Sequence, residues 1–232
     1  MYVQFTGAGY GDALDRSGSG SGFAQSGGID ALVAFEQIGS RRSFARNEEI
    51  FAEGDPGDCW FKVVSGAVRV CKLMADGRRH IAEFYFAGDC FGLDNLPERL
   101  FSAEAVSDTI VMRLPRRATE RLIDESPKLS RCLRDMTMRD LANAQIRLLL
   151  LGRMSAPERV ATFLLDMFDR RDATRALDLP MSRNDIADYL GLTIETVCRV
   201  LSAFKRDGAI DIPTPHRIVL RNRAALAALG EG

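Results

Sequence analysis

The sequence of 232 residues is short of the side chains from which reactive centres are usually built. It holds two histidines, His80 and His216, and one tryptophan. It lacks a glycine-rich phosphate loop and a nucleophile elbow, so little in it supports an enzyme. Five cysteines (Cys59, Cys71, Cys90, Cys132 and Cys198) are scattered, odd in number and never spaced C-x-x-C. That pattern argues against a disulfide frame and a zinc site, and reads as reduced thiols with no metal and no cofactor. No apolar run reaches the ~18 residues that would span a membrane. The first residues also lack the basic patch, apolar stretch and cleavage site of a secretory signal, so the expected location is cytoplasmic. Strong net charge is missing too, at −1. A nucleic-acid partner would therefore have to declare itself locally rather than through bulk charge.

What is present is a soluble composition, 46% hydrophobic and 27% charged, in a chain long enough for two domains. Residues 1–28 are rich in Gly and Ser with few large apolar side chains, and are expected to be a flexible tail. A short helix is expected over Ile29–Ile38. From Arg42 to Leu114 the apolar pattern has period two, as in Phe61/Val63 and Val68/Val70. Turn signals punctuate it at Gly54-Asp55-Pro56-Gly57-Asp58, Ser65-Gly66, Asp76-Gly77 and Gly88-Asp89. Short strands at such spacing predict a β-sandwich or β-roll, with a type I′ hairpin at Asp76-Gly77.

Residues from Pro115 to about Arg153 read as helix, with Pro127 in a first turn. Beyond it Leu129, Cys132, Leu133, Met136, Leu141, Ala144 and Leu148 form a drifting apolar stripe. A helix this long carries its stripe past its own domain, which suits packing between two copies; the alternative is a helix lying on its own β-roll. Residues 157–170 form a further amphipathic helix, and Asp172–Leu179 is expected to be a polar connection.

The segment Pro180–Leu201 carries the functional reading. Ser182 and Asp185 fit a capping box, Ile186, Ala187 and Leu190 face inward, and Gly191 supplies the left-handed residue that ends a helix. Thr193 is placed to cap the next helix, with Val197, Val200, Leu201 and Phe204 on its inner face. Two helices joined by a glycine turn make the tri-helical corner that places a recognition helix in the major groove. Its outer face carries Ile194, Glu195, Cys198 and Arg199. Arginine can bond guanine in bidentate fashion and glutamate can accept from the cytosine amino group, although an i,i+4 ion pair is the commoner fate of such neighbours. Arg183, Thr193, Thr196 and Lys205 suit phosphate contacts, and so do His216 or Arg217 in two short strands around a proline-rich tip, the wing. Between Arg183 and Arg223 seven basic residues face five acidic ones, an excess of only two.

With these motifs in place, the sequence resembles the CRP/FNR family, nearest its FixK-like and FNR-like branches, from about residue 30 to 226. The likeness is carried by Gly54–Asp58, Val64-Ser65-Gly66-Ala67-Val68, Asp76-Gly77-Arg78, Ala87–Asp94 and above all Gly191–Arg199. The resemblance implies an α+β chain: a flexible tail (1–28), a cyclic-nucleotide-binding-type β-roll (29–126), a dimerisation helix (127–153) and a winged helix-turn-helix (154–232). It implies a homodimer, through Leu129, Leu133, Met136, Leu141, Ala144 and Leu148, on duplex DNA with inverted repeats of the TTGAT kind. RNA polymerase would be a further partner, with Arg78 and Arg79 at the hairpin tip as contact candidates. Family members read with E-x-x-S-R; here the serine is Cys198, a weaker donor and a candidate for oxidation. No cysteine precedes Cys59, which leaves no iron–sulfur cluster of the FNR kind. Leu93 and Phe101-Ser102 stand where nucleotide-binding members hold glutamate and an Arg-Ser phosphate clamp, which argues against cyclic AMP. The reading that results is a regulator, most simply an activator, in an oxygen-limitation response. A ligand-gated regulator would need His80 or the cysteines as haem ligands, and a catalytic β-roll would need clusters that are missing.

Overall fold

The computed structural model describes residues 35–94 and 96–230. The expected tail, and most of the short helix before Ile38, lie outside those residues; 35–38 are helical. Two four-stranded antiparallel sheets follow. One has the order β1-β8-β3-β6, from β1 (Ser40–Phe44), β8 (Thr109–Pro115), β3 (Cys59–Ser65) and β6 (Cys90–Phe91). The other has the order β2-β7-β4-β5, from β2 (Glu49–Phe51), β7 (Ser102–Ala105), β4 (Ala67–Leu73) and β5 (Arg79–Phe86).

The period-two pattern sends alternate side chains to different cores. In β3, Cys59, Phe61 and Val63 fill the space between the sheets, while Trp60 packs outward with Leu114, Leu129 and Met136. Gly66 lets the chain pass from β3 to β4, which lie in different sheets. Its φ is +88°, and a Cβ there would stand 2.4 Å from Thr109 Oγ1. The β4–β5 hairpin differs from expectation. Gly77 has φ +84° and donates to the Met74 carbonyl at 2.9 Å, but Asp76 does not share a positive φ. The turn is therefore a three-residue loop ending in a left-handed glycine, not type I′.

A second departure matters more. Val70 pairs with Glu83 and Cys71 with Ile81, so Ala82 is an extra residue in β5. Such a bulge reverses the side-chain alternation. Arg79 and Ile81 thereby join Phe84 and Phe86 on the outer face, beside Ala67, Arg69 and Cys71 of β4.

Three helices follow: α1 (Arg116–Glu125), α2 (Pro127–Arg153) and α3 (Ala156–Arg170). The helix expected from Pro115 onward is broken at Ser126, whose backbone N–H bonds back to Ile123. Only Met154 and Ser155 separate α2 from α3, and Ser155 with Glu158 forms a capping box. The guanidinium of Arg159 spans this joint, donating to the carbonyls of Leu151, Met154 and Leu190 at 2.9, 2.9 and 3.0 Å. The C-terminal unit comprises β9 (Ala176–Asp178), α4 (Arg183–Leu190), α5 (Ile194–Arg206), β10 (Ile210–Thr214), β11 (Arg217–Leu220) and α6 (Arg223–Gly230). The stretch 172–179, expected to be only a polar connection, supplies β9, which pairs with β11 at the edge of the three-stranded wing sheet.

One continuous core joins the two units. Ala67, Cys71, Ile81, Phe84 and Phe86 of the roll bury against Val160, Phe163, Leu164, Ile186 and Tyr189. The Tyr189 ring lies 5.2 Å from Phe84 and 5.7 Å from Phe163, with the Arg147 guanidinium of α2 4.9 Å from its centre. Among the described residues no helix is long and apolar enough to cross a membrane.

Candidate nucleic-acid interface

Two helices and their caps fix the candidate surface. The Ser182 hydroxyl accepts from the Asp185 N–H at 3.1 Å, and the Ser182 N–H donates to Asp185 Oδ2 at 2.9 Å. Gly191 closes α4 at φ 62°, ψ 40°, the left-handed region that a Cβ disfavours. Thr193 then caps α5, accepting from the Thr196 N–H at 3.3 Å. Val197, Val200, Leu201 and Phe204 are buried, so α5 is anchored along one side.

The opposite side of α5 is bare. Ile194, Glu195, Cys198 and Arg199 are all exposed. No ion pair forms between Glu195 and Arg199, although they are four residues apart. Glu195 is occupied at the helix start instead: hydrogen bonds from its own backbone N–H, then from Thr193, hold its carboxyl below the ordinary glutamate value and keep it charged. Arg199 has no ion-pair partner among the described residues, so its guanidinium is available.

The other candidates divide. Thr193 and Thr196 are engaged with each other, hydroxyl to hydroxyl at 3.1 Å. Lys205, exposed at the end of α5, stands 3.8 Å from Asp211. Arg217 on the wing pairs with Asp178 at 3.1 Å. The exposed His216 has its Nδ1 3.2 Å from the Leu179 carbonyl. Arg183 is drawn inward rather than displayed: its Nη1 is buried without a hydrogen-bond partner, and burial lowers its pKa.

Two expectations need correction. Arg79 does not reach outward from the hairpin tip as a polymerase contact would. Because of the bulge at Ala82 it turns to α4, where its Nη2 lies 2.6 Å from Asp185 Oδ1 and 2.8 Å from Asp188 Oδ2. Arg78 does stay exposed, paired with Asp76 at 2.7 Å. The second correction concerns α2. Leu129 and Met136 are buried, and Leu133 is partly buried, against Trp60, Met112 and Leu114 of the chain's own roll. Leu129 and Met136 are thereby not available to a second copy. Leu141, Ala144 and Leu148 are exposed, as a dimer face requires.

In the roll, a cavity of about 270 Å³ is lined by Phe51, Tyr85, Phe91, Phe101, Glu83, Asp94 and Asp140 among others, and no lining side chain is a cation. Lys72 stands 6.0 Å from the Phe101 ring, and Ser102 Oγ accepts from the Glu53 N–H. Sequence reasoning passed over Arg99. Its guanidinium is buried, lies 4.6 Å from the Phe51 ring centre, and donates to the carbonyls of Gly92 and Cys59 and to Asp94. A single arginine in a loop gives no pattern by which its burial could be read. The residues a haem would need are dispersed: His80 lies in β5, and burial pushes the Cys59 and Cys71 thiols up to about 11 and Cys90 to about 12. Among the described residues no group of three or more His, Cys, Asp or Glu could hold a metal ion.

Comparison with known proteins matches residues 158–229 to the Crp-like helix-turn-helix domain and residues 41–126 to the cyclic nucleotide-binding domain. The chain is 45% identical to the nitrogen fixation regulation protein FixK of Azorhizobium caulinodans over 197 residues, 83% of this chain and 79% of that one. It belongs to the CRP/FNR family of transcription regulators, in its FixK branch. The transcriptional activator protein FnrL of Cereibacter sphaeroides is 33% identical, with 85% and 83% of the two chains covered. Among solved structures, FixK2 from Bradyrhizobium japonicum superposes with a TM-score of 0.80 at 43% identity, covering 84% of this chain and 98% of that one. CRP/FNR membership makes the bare face of α5 part of a DNA-binding helix-turn-helix in a regulator of a kind that works as a dimer.

Proposed function

We propose that the chain is a homodimeric transcription activator that reads inverted repeats of the TTGAT kind in response to oxygen limitation. Its relatives carry the names of nitrogen fixation regulators and of FNR-type activators, and those names support the physiological reading. The observation that carries the recognition step is the outer face of α5. Arg199 and Glu195 stand there exposed, one turn apart, and the arginine has no ion-pair partner among the described residues. In the major groove Arg199 takes guanine O6 and N7, and Glu195 accepts from a cytosine amino group. Ile194 and Cys198 lie beside them and meet thymine methyl groups. Thr193, Thr196 and Lys205 contact phosphates from the same helix, and His216 and Arg217 do so from the wing. For Arg217 that means exchanging Asp178 for a phosphate; Arg183, half-buried, contributes less.

The domain division follows the sequence reading: roll to 126, dimer helix 127–153, DNA-binding unit from 154. The strip Leu141, Ala144 and Leu148 meets its own copy across a two-fold axis. Arg78 remains the hairpin's candidate for RNA polymerase, and the protein acts in the cytoplasm. No cyclic nucleotide enters this reading, because acidic and aromatic side chains line the roll's cavity.

Footprinting of wild type and Arg199→Ala on an inverted TTGAT-type repeat, with no nucleotide added, tests the recognition step. Loss of the arginine is expected to cost about 1–3 kcal/mol per half-site and to abolish the specific footprint. An undiminished footprint from Arg199→Ala would remove α5 as the reading element.

A further inference from the structure

We propose that Arg79, backed by Arg69, sets the half-site spacing this dimer accepts, by clamping α4 onto the outer face of β4 and β5. The inference rests on the reading of the chain as a dimer on an inverted repeat. In such a dimer the distance between the two recognition helices is fixed only if each DNA-binding unit is held at one angle to the rest of its chain. The covalent connection cannot do this alone, even with Arg159 pinning the joint to the Leu151 carbonyl of α2 at 2.9 Å. Met154 and Ser155 are the only residues between α2 and α3, and rotation at a few such residues is enough to swing a whole unit.

The apolar bed of Cys71, Ile81, Phe84 and Phe86 supplies attraction but little direction, since hydrophobic burial is not directional. The arginines supply direction. Arg79 donates from Nε to Asp188 Oδ2 at 2.9 Å and from Nη2 to Asp185 Oδ1 at 2.6 Å, gripping two carboxylates one turn apart on α4. A planar guanidinium holding two acceptors fixes orientation in a way a lysine ammonium does not. Arg69, almost wholly buried, adds a third contact, from Nη1 to Asp185 Oδ1 at 3.2 Å. It is itself held by Glu104 at 2.7 Å and by Asn47 at 3.2 Å, so the anchor is rigid from below.

Asp185 is also the residue whose carboxylate caps the start of α4. The clamp thus seizes the helix-turn-helix by its first turn, and Gly191 and Thr193 transmit that position directly to α5. The remaining ion pairs across the boundary join β5 and the Gly88-Asp89 turn to α2 and α3: Glu83 with Arg147 and Arg170, and Asp89 with Arg170. Among the ion pairs of the described residues, only those of Arg69 and Arg79 reach α4. The bulge at Ala82 is what turns Arg79 to this face, so the device is built into the strand.

The test measures fluorescence anisotropy of labelled duplexes bound by wild type, Arg79→Ala, Arg79→Lys and Asp188→Asn. The duplexes are one isolated half-site, the inverted repeat with its preferred spacer, and repeats with one base pair added or removed. Wild type is expected to favour one spacer by about tenfold over its neighbours. Arg79→Ala is expected to flatten that preference to about twofold, Asp188→Asn to fall between, and Arg79→Lys to recover part of the wild-type ratio, all with unchanged half-site affinity. A residue needed only for stability would lower every affinity together and leave the ratio alone. Retention of the full ratio by Arg79→Ala and Asp188→Asn overturns the clamp. If Arg79→Ala fails to fold, Asp188→Asn, at the partly exposed rim, decides between the two outcomes. Wild type bound to repeats without spacer preference also overturns the clamp while leaving the recognition reading intact. Wild type bound to no repeat removes both.

Discussion

The two halves of α2 belong to one unbroken helix but have opposite surroundings. In the first half Leu129, Cys132 and Met136 are buried against the roll, Leu129 to 5% exposure. In the second half Leu141 and Leu148 stand in the open, Leu148 at 72%. At about 3.6 residues per turn the second strip has also rotated well over a quarter turn from the first, so it is a new face rather than a continuation. Periodicity reveals that a helix face is apolar; it does not reveal what covers it. The first face is covered by its own domain. The second has nothing of its own chain over it among the described residues; in the dimer proposed above, a second copy covers it.

The largest effect expected from breaking this contrast follows from placing charges on the open half. Leu141→Asp with Leu148→Asp is expected to give monomers by light scattering, and with them loss of binding to inverted repeats, while circular dichroism stays that of a folded protein. Persistence of the dimer would move the interface elsewhere. The complementary change sharpens the contrast from the other side. Leu129→Ala is expected to cost about 2–5 kcal/mol of stability in denaturant unfolding, because it opens a cavity between Trp60, Leu114 and Ile123, yet to leave the dimer intact. Monomers from Leu129→Ala without loss of stability would mean that the first half also lies between copies.

The same division between local and long-range information decides what could be read from the sequence. The helix-turn-helix was legible residue by residue because its signals are local: Ser182 with Asp185, the left-handed Gly191, and Thr193 before α5 all act within one turn. The roll was legible as a class from its alternation and turns. Arg79 was misread because its direction depends on one extra residue, Ala82, opposite Val70 and Cys71, and a bulge leaves no mark in the alternation of a strand this short. Asp76-Gly77 marked a hairpin correctly, but the turn type depends on a backbone angle at Asp76 that the dipeptide permits either way. The strand Ala176–Asp178 exists only because β11 lies beside it, and a three-residue edge strand has too few positions to show a period. The alternative of an ion pair between Glu195 and Arg199 was plausible by spacing, yet the helix N-terminus claims the glutamate first. For Arg79 and for β9, the missing information was the identity of a neighbour far away in sequence.

A smaller effect should appear where the open half of α2 is tied back to the roll. Arg147 pairs with Glu83 of β5, which also holds Arg170 at 3.1 Å. Burial alone would raise the Glu83 carboxyl, but the charges of Arg170 and Arg147 and their hydrogen bonds outweigh it and leave its pKa below the ordinary glutamate value. A carboxylate whose pKa is lower folded than unfolded lends stability that is complete above its unfolded value of about 4.3 and is lost as pH falls through the folded one. Asp89 works the other way: burial raises its pKa, so it takes up a proton sooner and its own contribution grows as pH falls. Global stability therefore blurs the two, and a local readout is needed. Hydrogen-exchange protection of residues 141–153 is expected to fall in wild type as acid protonates Glu83, since Arg147 is bound to Glu83 and not to Asp89. In Glu83→Gln that segment is expected to start less protected at neutral pH and to lose its dependence on pH. Equal pH profiles for the two proteins would mean that the open half is steadied by its partner copy alone, and that the tie to β5 adds nothing to it.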